Sequence, residues 1–391
     1  MRKIHSSSHF SIASTFDELQ NSSKDVAFVA QPINANYSTS TSQVKLAEHP
    51  PEKLALSRRI GCSFLNEEMS IPALLVHKIH NPSIYPGKIR ARDGSWHSHG
   101  QLLITSANSL CPESYGIMDG GRTLPKDLLT ATSDRETFTL NEPLPQEHLK
   151  GNYLFLGSMH DHFGHFLVEG LSRLWILKHF SDTQIADLKI IIYEPGLIPP
   201  ATKILSYLGI DKSQIHFLSE PCTVDSVIAP SIAYRTHFWA RDVMNYVYNK
   251  ISAAARAEKQ TDFPTKIFLS RSHVSARRLK NEAEIEQIHR DAGYWVLRPE
   301  DIPIGDQIRI AANADSIAGC TGSNMYLAMF QKLEGRNFIY APYDFTLKDD
   351  AIISQLRSSR LSYVLGTQLH EDQWTIDATL VAQTLKDEAH S

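Results

Sequence analysis

The amino-acid sequence predicts an α/β protein with a β-rich start, on three observations. From Lys266 onward short apolar runs alternate with helical patterns: strand KIFLSR, helix EAEIEQIHRDAG, strand YWVLRP, helix IGDQIRIAANA, strand SIAG, loop CTGSN, helix MYLAMFQKL and strand NFIYAP. Strands separated by helices in this way are the signature of a doubly wound parallel sheet. A second α/β alternation runs from His160 to Glu258, and between Leu54 and Leu156 short apolar runs are broken by turns such as NPSIYPGK and RARDGSWH.

Composition bounds the function. A chain of 391 residues has room for two domains, and 42% hydrophobic with 21% charged residues excludes wholesale disorder. With 39 Lys plus Arg against 43 Asp plus Glu the net charge is −4, so an anion site must be a local cluster and a nucleic-acid binder is not expected. The four cysteines, Cys62, Cys111, Cys222 and Cys320, form no CxxC pair, which argues against a zinc site or a disulfide scaffold and fits a reducing compartment. The start, MRKIHSSSHFSIASTF, has no continuous apolar stretch of the secretory kind. The longest apolar run, LKIIIY, falls far short of a membrane span, so the expectation is a cytosolic protein with at most peripheral membrane contact.

Residues 1–52, rich in Ser, Thr, Asn and Gln, read as an irregular or edge-pairing arm. Residues 53–260 read as an N-terminal domain, strands first. Within it HDHFGHFLVEGLSRLWILKHF has Phe163, Phe166, Leu167, Gly170, Leu171, Leu174 and Leu177 at helical spacing. Strand LKIIIY, the Pro-started helix PPATKILSYLG, strands IHFL and SVIAP, and an amphipathic segment from Trp239 to Glu258 follow. The polar, Pro-broken QTDFPTK reads as a linker, residues 261–371 as a C-terminal domain, and 372–391 as a helix packing back on the other half. No repeat of solenoid period is present.

Three constellations can carry chemistry. In the first, a helix starting near His160 would bring Asp161, His165, Glu169 and Ser172 to one quadrant opposite the apolar stripe, so that an imidazole and a carboxylate face one space, as a general base requires. The bland alternative is a solvated face with i,i+4 pairs among His165, Glu169 and Arg173, though Gly164 and three histidines in six residues weigh against it. Metal binding by His160, His162 and His165 lacks a standard zinc spacing, and the second HxH, His97 and His99, reads as structural.

The second constellation, Ser270, Arg271, Ser272, His273, Arg277, Arg278, Lys280, Asn281 and Glu282, begins where strand KIFLS ends, at the carboxyl edge where open α/β sheets bind ligands. Four cations in ten residues can hold a diphosphate without a metal. Against this, Asn281 and Glu284 make a capping box for the next helix, and the basic run can be a solvated loop. The third is Gly319, Cys320, Thr321, Gly322, Ser323 and Asn324, where small residues allow close approach and a helix N-terminus offers N–H groups to a phosphate. It matches neither the dinucleotide nor the Walker pattern, and Ser323 or Asn324 could simply cap the helix. With Arg271 in the same sheet it makes a nucleotide-sugar pocket.

GHFLVEGLSRLWIL, FLSRSHVSARRLKNEAEIEQI and GYWVLRPEDIPIGDQIRIAANADSIAGCTGSNMYLAMF, in that order and spacing, resemble glycosyltransferase family 61, the DUF563 group, over residues 60–345. The resemblance implies a GT-B-like architecture of two Rossmann-like halves and an inverting transfer from a nucleotide sugar, usually a UDP-sugar, with no cofactor beyond the donor. It maps His165, Glu169 and Arg173 onto the family's His, acidic and Arg positions. Arg271, Arg278, Asn281 and Glu282 fall on its SR…RxNE pattern, and Gly319, Gly322, Ser323 and Asn324 on its glycine-rich loop. Cys320-Thr321 and Asn324-Met325-Tyr326 depart from that loop's usual residues. By analogy with soluble bacterial members, the chain would build capsule, exopolysaccharide or lipopolysaccharide at the inner face of the membrane.

The expected enzyme is a metal-independent inverting glycosyltransferase. Glu169, His165 or Asp161 would take the acceptor proton, Glu169 first because it lies a full turn into the helix, with His162 and Arg173 in support. Arg271, Arg277, Arg278, Asn281, Glu282, Gly322, Ser323 and Asn324 would hold the donor. The acceptor would be a glycan or lipid-linked glycan. A sugar-nucleotide epimerase acting on the donor alone, or a glycan-binding scaffold without turnover, are the other readings. The arm or the β-rich first 150 residues could mediate a homodimer.

Overall fold

The computed structural model describes residues 2–5, 10–32, 36–38, 43–46, 68–90, 96–114, 116–118, 121–123, 128–132, 137–159, 162–193, 197–259, 262–343, 345–370 and 373–389. It is a mixed α/β fold with several sheets. Contacts divide the chain into two units: Met1–Asn34 with Pro72–Arg235, and Ala35–Ile71 with Thr236–Ser391.

The first unit is built on β1 (Ser11–Ala13), α1 (Phe16–Asn21), β2 (Val26–Gln31), β3 (Leu74–His80), β4 (Ser83–Arg90), β5 (Trp96–Ile104), β6 (Glu147–Gly157), α2 (Asp182–Asp187), β7 (Lys189–Tyr193), α3 (Pro199–Ser206), β8 (Ile215–Leu218) and β9 (Cys222–Pro230). The main sheet has the order β8-β7-β6-β9-β3-β2-β1, with β4 on β9 and β5 on β4. Strands β6 to β9 pair parallel, and β9-β3 and β3-β2 pair antiparallel. Ile190, Ile191 and Ile192 of β7 are all fully buried, the near-continuous apolar run of a strand covered on both faces. Ser181 and Gln184 close a capping box on α2, and Pro199 opens α3, where a missing N–H costs nothing. The polar arm is thus not irregular throughout: β1 and β2 extend the sheet at its edge, the position open to a polar strand.

The stretch after β6 departs from the single α-helix its periodicity predicts. One α turn, Phe163–His165, runs into a π-helical turn, Phe166–Gly170, and then a 3-10 helix, Leu174–His179. The N–H of Leu171 donates to the carbonyl of Phe166, five residues back. Gly170 relieves crowding here, because a Cβ would meet the Met159 carbonyl and the Phe166 ring at 3.0 Å. From Phe166 to Leu177 every residue except Glu169 is buried, so packing on nearly all sides overrides the regular helical repeat.

The second unit contains α4 (Met244–Glu258), β10 (Lys266–Leu269), α5 (Glu282–Asp291), β11 (Trp295–Leu297), α6 (Ile304–Asn313), β12 (Ser316–Cys320), β13 (Arg336–Pro342), α7 (Lys348–Leu356), β14 (Arg360–His370), β15 (Gln373–Thr375) and α8 (Ala378–Ala389). The parallel strands lie in the order β11-β10-β12-β13-β14, and Gln43–Leu46 adds a parallel strand on β14. Numbered from β10, that order is 2-1-3-4-5, a doubly wound arrangement whose direction of winding reverses between β10 and β12. α4 belongs to this unit, ahead of the Pro-broken stretch read as a linker. α8 packs on α5, with Val381 and Leu385 joining Ile285 and Tyr294 in the unit's own core. MYLAMF forms a short 3-10 helix, Met325–Phe330. No helix among the described residues is long and apolar enough to cross a membrane.

Candidate active site

His165 and Glu169 meet as expected: Nδ1 of His165 lies 2.7 Å from Oε2 of Glu169, with the side chains 45% and 20% exposed. The His162 ring stands edge-on to His165 at 5.3 Å between centroids. Because Glu169 alone breaks the buried run, the carboxylate is held by its neighbours while keeping one side open. Single π turns recur at functional sites, where they re-aim a side chain. Arg173 is buried and serves the frame: its guanidinium donates to the carbonyls of Pro230 and Glu113, the latter at 2.6 Å, and lies over the Phe155 ring. Ser172 is fully buried, its hydroxyl donating to the Glu169 carbonyl, so it leaves the exposed quadrant. Asp161 and His160 lie outside the described residues, as do the side chains of His97 and His99.

In the second unit the loops after β10 and β12 meet at the carboxyl ends of the two strands that flank the reversal, where open α/β sheets form their ligand crevice. Nη1 of Arg271 donates to Oδ1 of Asn324 at 3.3 Å, and Nη2 to the Ala276 carbonyl at 3.3 Å. Gly322 has φ +147°, and a methyl group there would sit 2.5 Å from Nη1 of Arg271. The arginine of one motif therefore lies against the glycine of the other. Nδ2 of Asn324 is buried with no hydrogen-bond partner among the described residues, a donor that a ligand oxygen could satisfy.

The remaining predicted donor residues play different parts. Glu282 is buried and accepts from the Arg271 N–H at 2.6 Å, so it sets the backbone that launches Arg271; burial pushes its carboxyl up. Asn281 does not form the expected capping box. Its Oδ1 accepts from Thr375 Oγ1 and the Ile376 N–H, and its Nδ2 donates to the Ile376 carbonyl, tying the loop to the chain beyond β15. Arg277, at φ +52°, places its guanidinium 4.2 Å from the Phe345 ring centroid. Arg278 is exposed on a two-residue strand against β15. Ser323 is half-buried, and the N–H groups of Met325, Tyr326 and Leu327 bond to Gly322, Ser323 and Asn324. The 3-10 turn thus consumes the N–H groups an α-helical start would have presented.

A buried acidic cluster beneath this loop was missed by the sequence reading. Asp350 accepts from Thr321 Oγ1 at 3.0 Å and Tyr363 Oη at 2.6 Å, and burial pushes its carboxyl up to about 7. Its neighbour Asp349 is fully buried and pairs with His237. In sequence, Asp349-Asp350 looks like ordinary acidic residues of a helical first turn. Among the described residues no three His, Cys, Asp or Glu side chains converge as metal ligands. A cavity of about 440 Å³, bordered by Lys266, Tyr294, Ser316, Arg336 and Leu385, opens at the amino ends of the strands, and none of the motif residues lines it.

Residues 163–336 match the family model Glycosyltransferase 61, so the chain carries a glycosyltransferase family 61 domain. That stretch begins at the His165 turn, contains the Arg271 and Gly322 loops, and ends at the first residue of β13. No curated protein matches the chain. Solved structures similar to it include the iron-containing dodecameric glycosyltransferase TibC from enterotoxigenic E. coli H10407, at 9% identity over 70% of this chain and 78% of that one, with a TM-score of 0.27. The same enzyme, described as a heptosyltransferase in complex with ADP-D-β-D-heptose, is similar at 10% identity over the same shares and the same TM-score. A likeness that weak carries no argument for fold or reaction.

Proposed function

We propose that this protein is an inverting glycosyltransferase of GT-B type that moves a sugar from a nucleotide-sugar donor, a UDP-sugar foremost, to a glycan or lipid-linked glycan acceptor in bacterial surface-polysaccharide synthesis. The observation that supports it is the meeting of Arg271, Gly322 and Asn324 at the strand reversal, within the family 61 domain. The Arg271 guanidinium would bind the diphosphate and stabilise the charge that develops on it, the task a cation performs in metal-dependent enzymes. Glu169, positioned by His165, would take the acceptor proton. The acceptor oxygen then bonds to the anomeric carbon from the face opposite the diphosphate. The old carbon–oxygen bond breaks with its electron pair on the phosphate, which gives inversion. Cationic side chains in place of a metal make the reaction insensitive to EDTA.

A thermal-shift panel of UDP-, GDP-, CMP- and dTDP-sugars, with and without EDTA, tests this on wild type and Arg271→Ala. A selective, EDTA-insensitive stabilisation of about 2.7 kcal/mol at a hundredfold excess over Kd, lost in the variant, is expected. No shift with any nucleotide sugar overturns the assignment. Glu169→Gln should lower turnover about 10²- to 10⁴-fold with donor affinity kept, and unchanged turnover would remove Glu169 as the base.

A further inference from the structure

His237 stands in an arrangement that packing alone does not call for. It has φ +64°, a left-handed backbone that is uncommon outside glycine and persists where surroundings over-determine it. What determines it is Asp349. One carboxylate oxygen accepts the His237 backbone N–H at 3.0 Å and the other pairs with Nδ1 of the same residue. The Asp349 side chain is fully buried, while the imidazole remains 40% exposed. A fully buried carboxylate held at both the backbone and the ring of one residue fixes the orientation of its imidazole.

The pair also has a definite address. Asp349 lies in the first turn of α7, which follows β13, so it sits at the carboxyl edge of the sheet with the Arg271 and Gly322 loops. Its neighbour Asp350 accepts the hydroxyl of Thr321, the residue before Gly322, and is within electrostatic range of both Asp349 and His237. The donor loop and the exposed imidazole are therefore braced by two adjacent buried carboxylates.

We propose that His237 is a further catalytic residue, whose imidazolium donates a hydrogen bond to the departing diphosphate of the nucleotide sugar, and that Asp349 is its positioning residue. This rests on the nucleotide-sugar reading above. As the bond between the anomeric carbon and the diphosphate oxygen breaks, its electron pair stays on that oxygen. His237 stabilises the charge there without giving up its proton, and the acceptor's proton leaves on the base of the first unit.

The test uses the full chain, UDP, GDP, CDP and ADP as probes, and the matching monophosphates. His237→Asn is the variant of choice, since Asn tolerates left-handed backbone. It should weaken binding of the preferred diphosphate about 10- to 100-fold, the range for losing a hydrogen bond to a charged group, and leave monophosphate binding unchanged. Asp349→Asn should act in the same direction. In wild type, saturating diphosphate should protect His237 from diethyl pyrocarbonate, read by peptide mass spectrometry, a measurement independent of whether the variants fold. If wild type binds a diphosphate but His237 is modified at an unchanged rate, or His237→Asn binds it as tightly, the role of His237 is overturned and donor binding stands. If wild type binds none of the probes, the nucleotide-sugar reading fails and takes this inference with it.

Discussion

At Gly322 a hydrogen atom in place of a methyl group decides where the Arg271 guanidinium rests. A Cβ would crowd the flexible end of Arg271, which can move, and Oδ1 of Asn324 at 3.2 Å, and φ +147° is strained for any L side chain. Gly322→Ala should therefore lower stability by about 1–3 kcal/mol in urea unfolding and also displace Arg271, weakening donor binding in calorimetry. An alanine variant with unchanged donor affinity would show that the guanidinium position does not matter. Arg271 and Gly322 were legible in the sequence because each ends an apolar strand run, and in an open parallel sheet such ends converge. His237 and Asp349 were not legible. They are 112 residues apart, His237 is a lone histidine in a loop, and Asp349 resembles a helix-start acid. Glu169 was legible as a partner of His165, but not as the one open residue in a buried run, since its neighbours' burial depends on packing all round.

Helix α5 and helix α7 each carry a buried titrating group, and the two act oppositely on stability. Burial pushes His289 of α5 down to about 4, with its ring held between the Ile285 carbonyl and the Tyr340 hydroxyl. As pH falls from 6.5 toward 4 the unfolded chain takes a proton that the folded chain refuses, so stability drops, by about 3 kcal/mol at the limit. Asp350 of α7 is pushed up to about 7 from 3.8. As pH rises across that interval the unfolded chain releases a proton that the folded chain keeps, so stability again drops, by about 4 kcal/mol at the limit. Between pH 4.5 and 6.5 the two slopes oppose. Urea unfolding at those two values should show His289→Gln shifting the pH dependence by about 2 kcal/mol toward greater stability in acid, and Asp350→Asn by a similar amount the other way. Unshifted slopes in both would mean neither group titrates as its burial implies. Helix α5 was well marked in the sequence by its 3.6-residue period, whereas α7 was not read as a helix, because its polar first turn, Lys348 to Asp350, is buried rather than exposed. The π turn and the 3-10 segments were not marked, because apolar residues at every position leave the same periodic trace whichever helix they adopt.

Across the molecule the described cysteines sit in the interior: Cys111 and Cys222 in the first unit and Cys320 in the second, all buried. Burial pushes the Cys222 thiol up to about 12 and raises Cys320 as well, so neither forms thiolate near neutral pH. A Cys62→Ser chain should react with less than about one equivalent of Ellman's reagent when native and with three in urea. Rapid labelling of the native chain would mean that a unit opens under mild conditions. The alternation of strands and helices from Lys266 to Pro342 made that part of the second unit readable almost element by element, while α7 and β14 beyond it were not read. The arm could be read only as irregular or edge-pairing, because polar strands at a sheet edge look like loops until their partners are known; its described strands pair. One such piece, Gln43–Leu46, pairs with β14 near the far end of the chain. During synthesis it leaves the ribosome some three hundred residues before its partner, a wait of roughly 15–60 s at ordinary elongation rates. The second unit can therefore close its sheet only after β14 has emerged, which leaves the early segment exposed to chaperones and proteases throughout that interval.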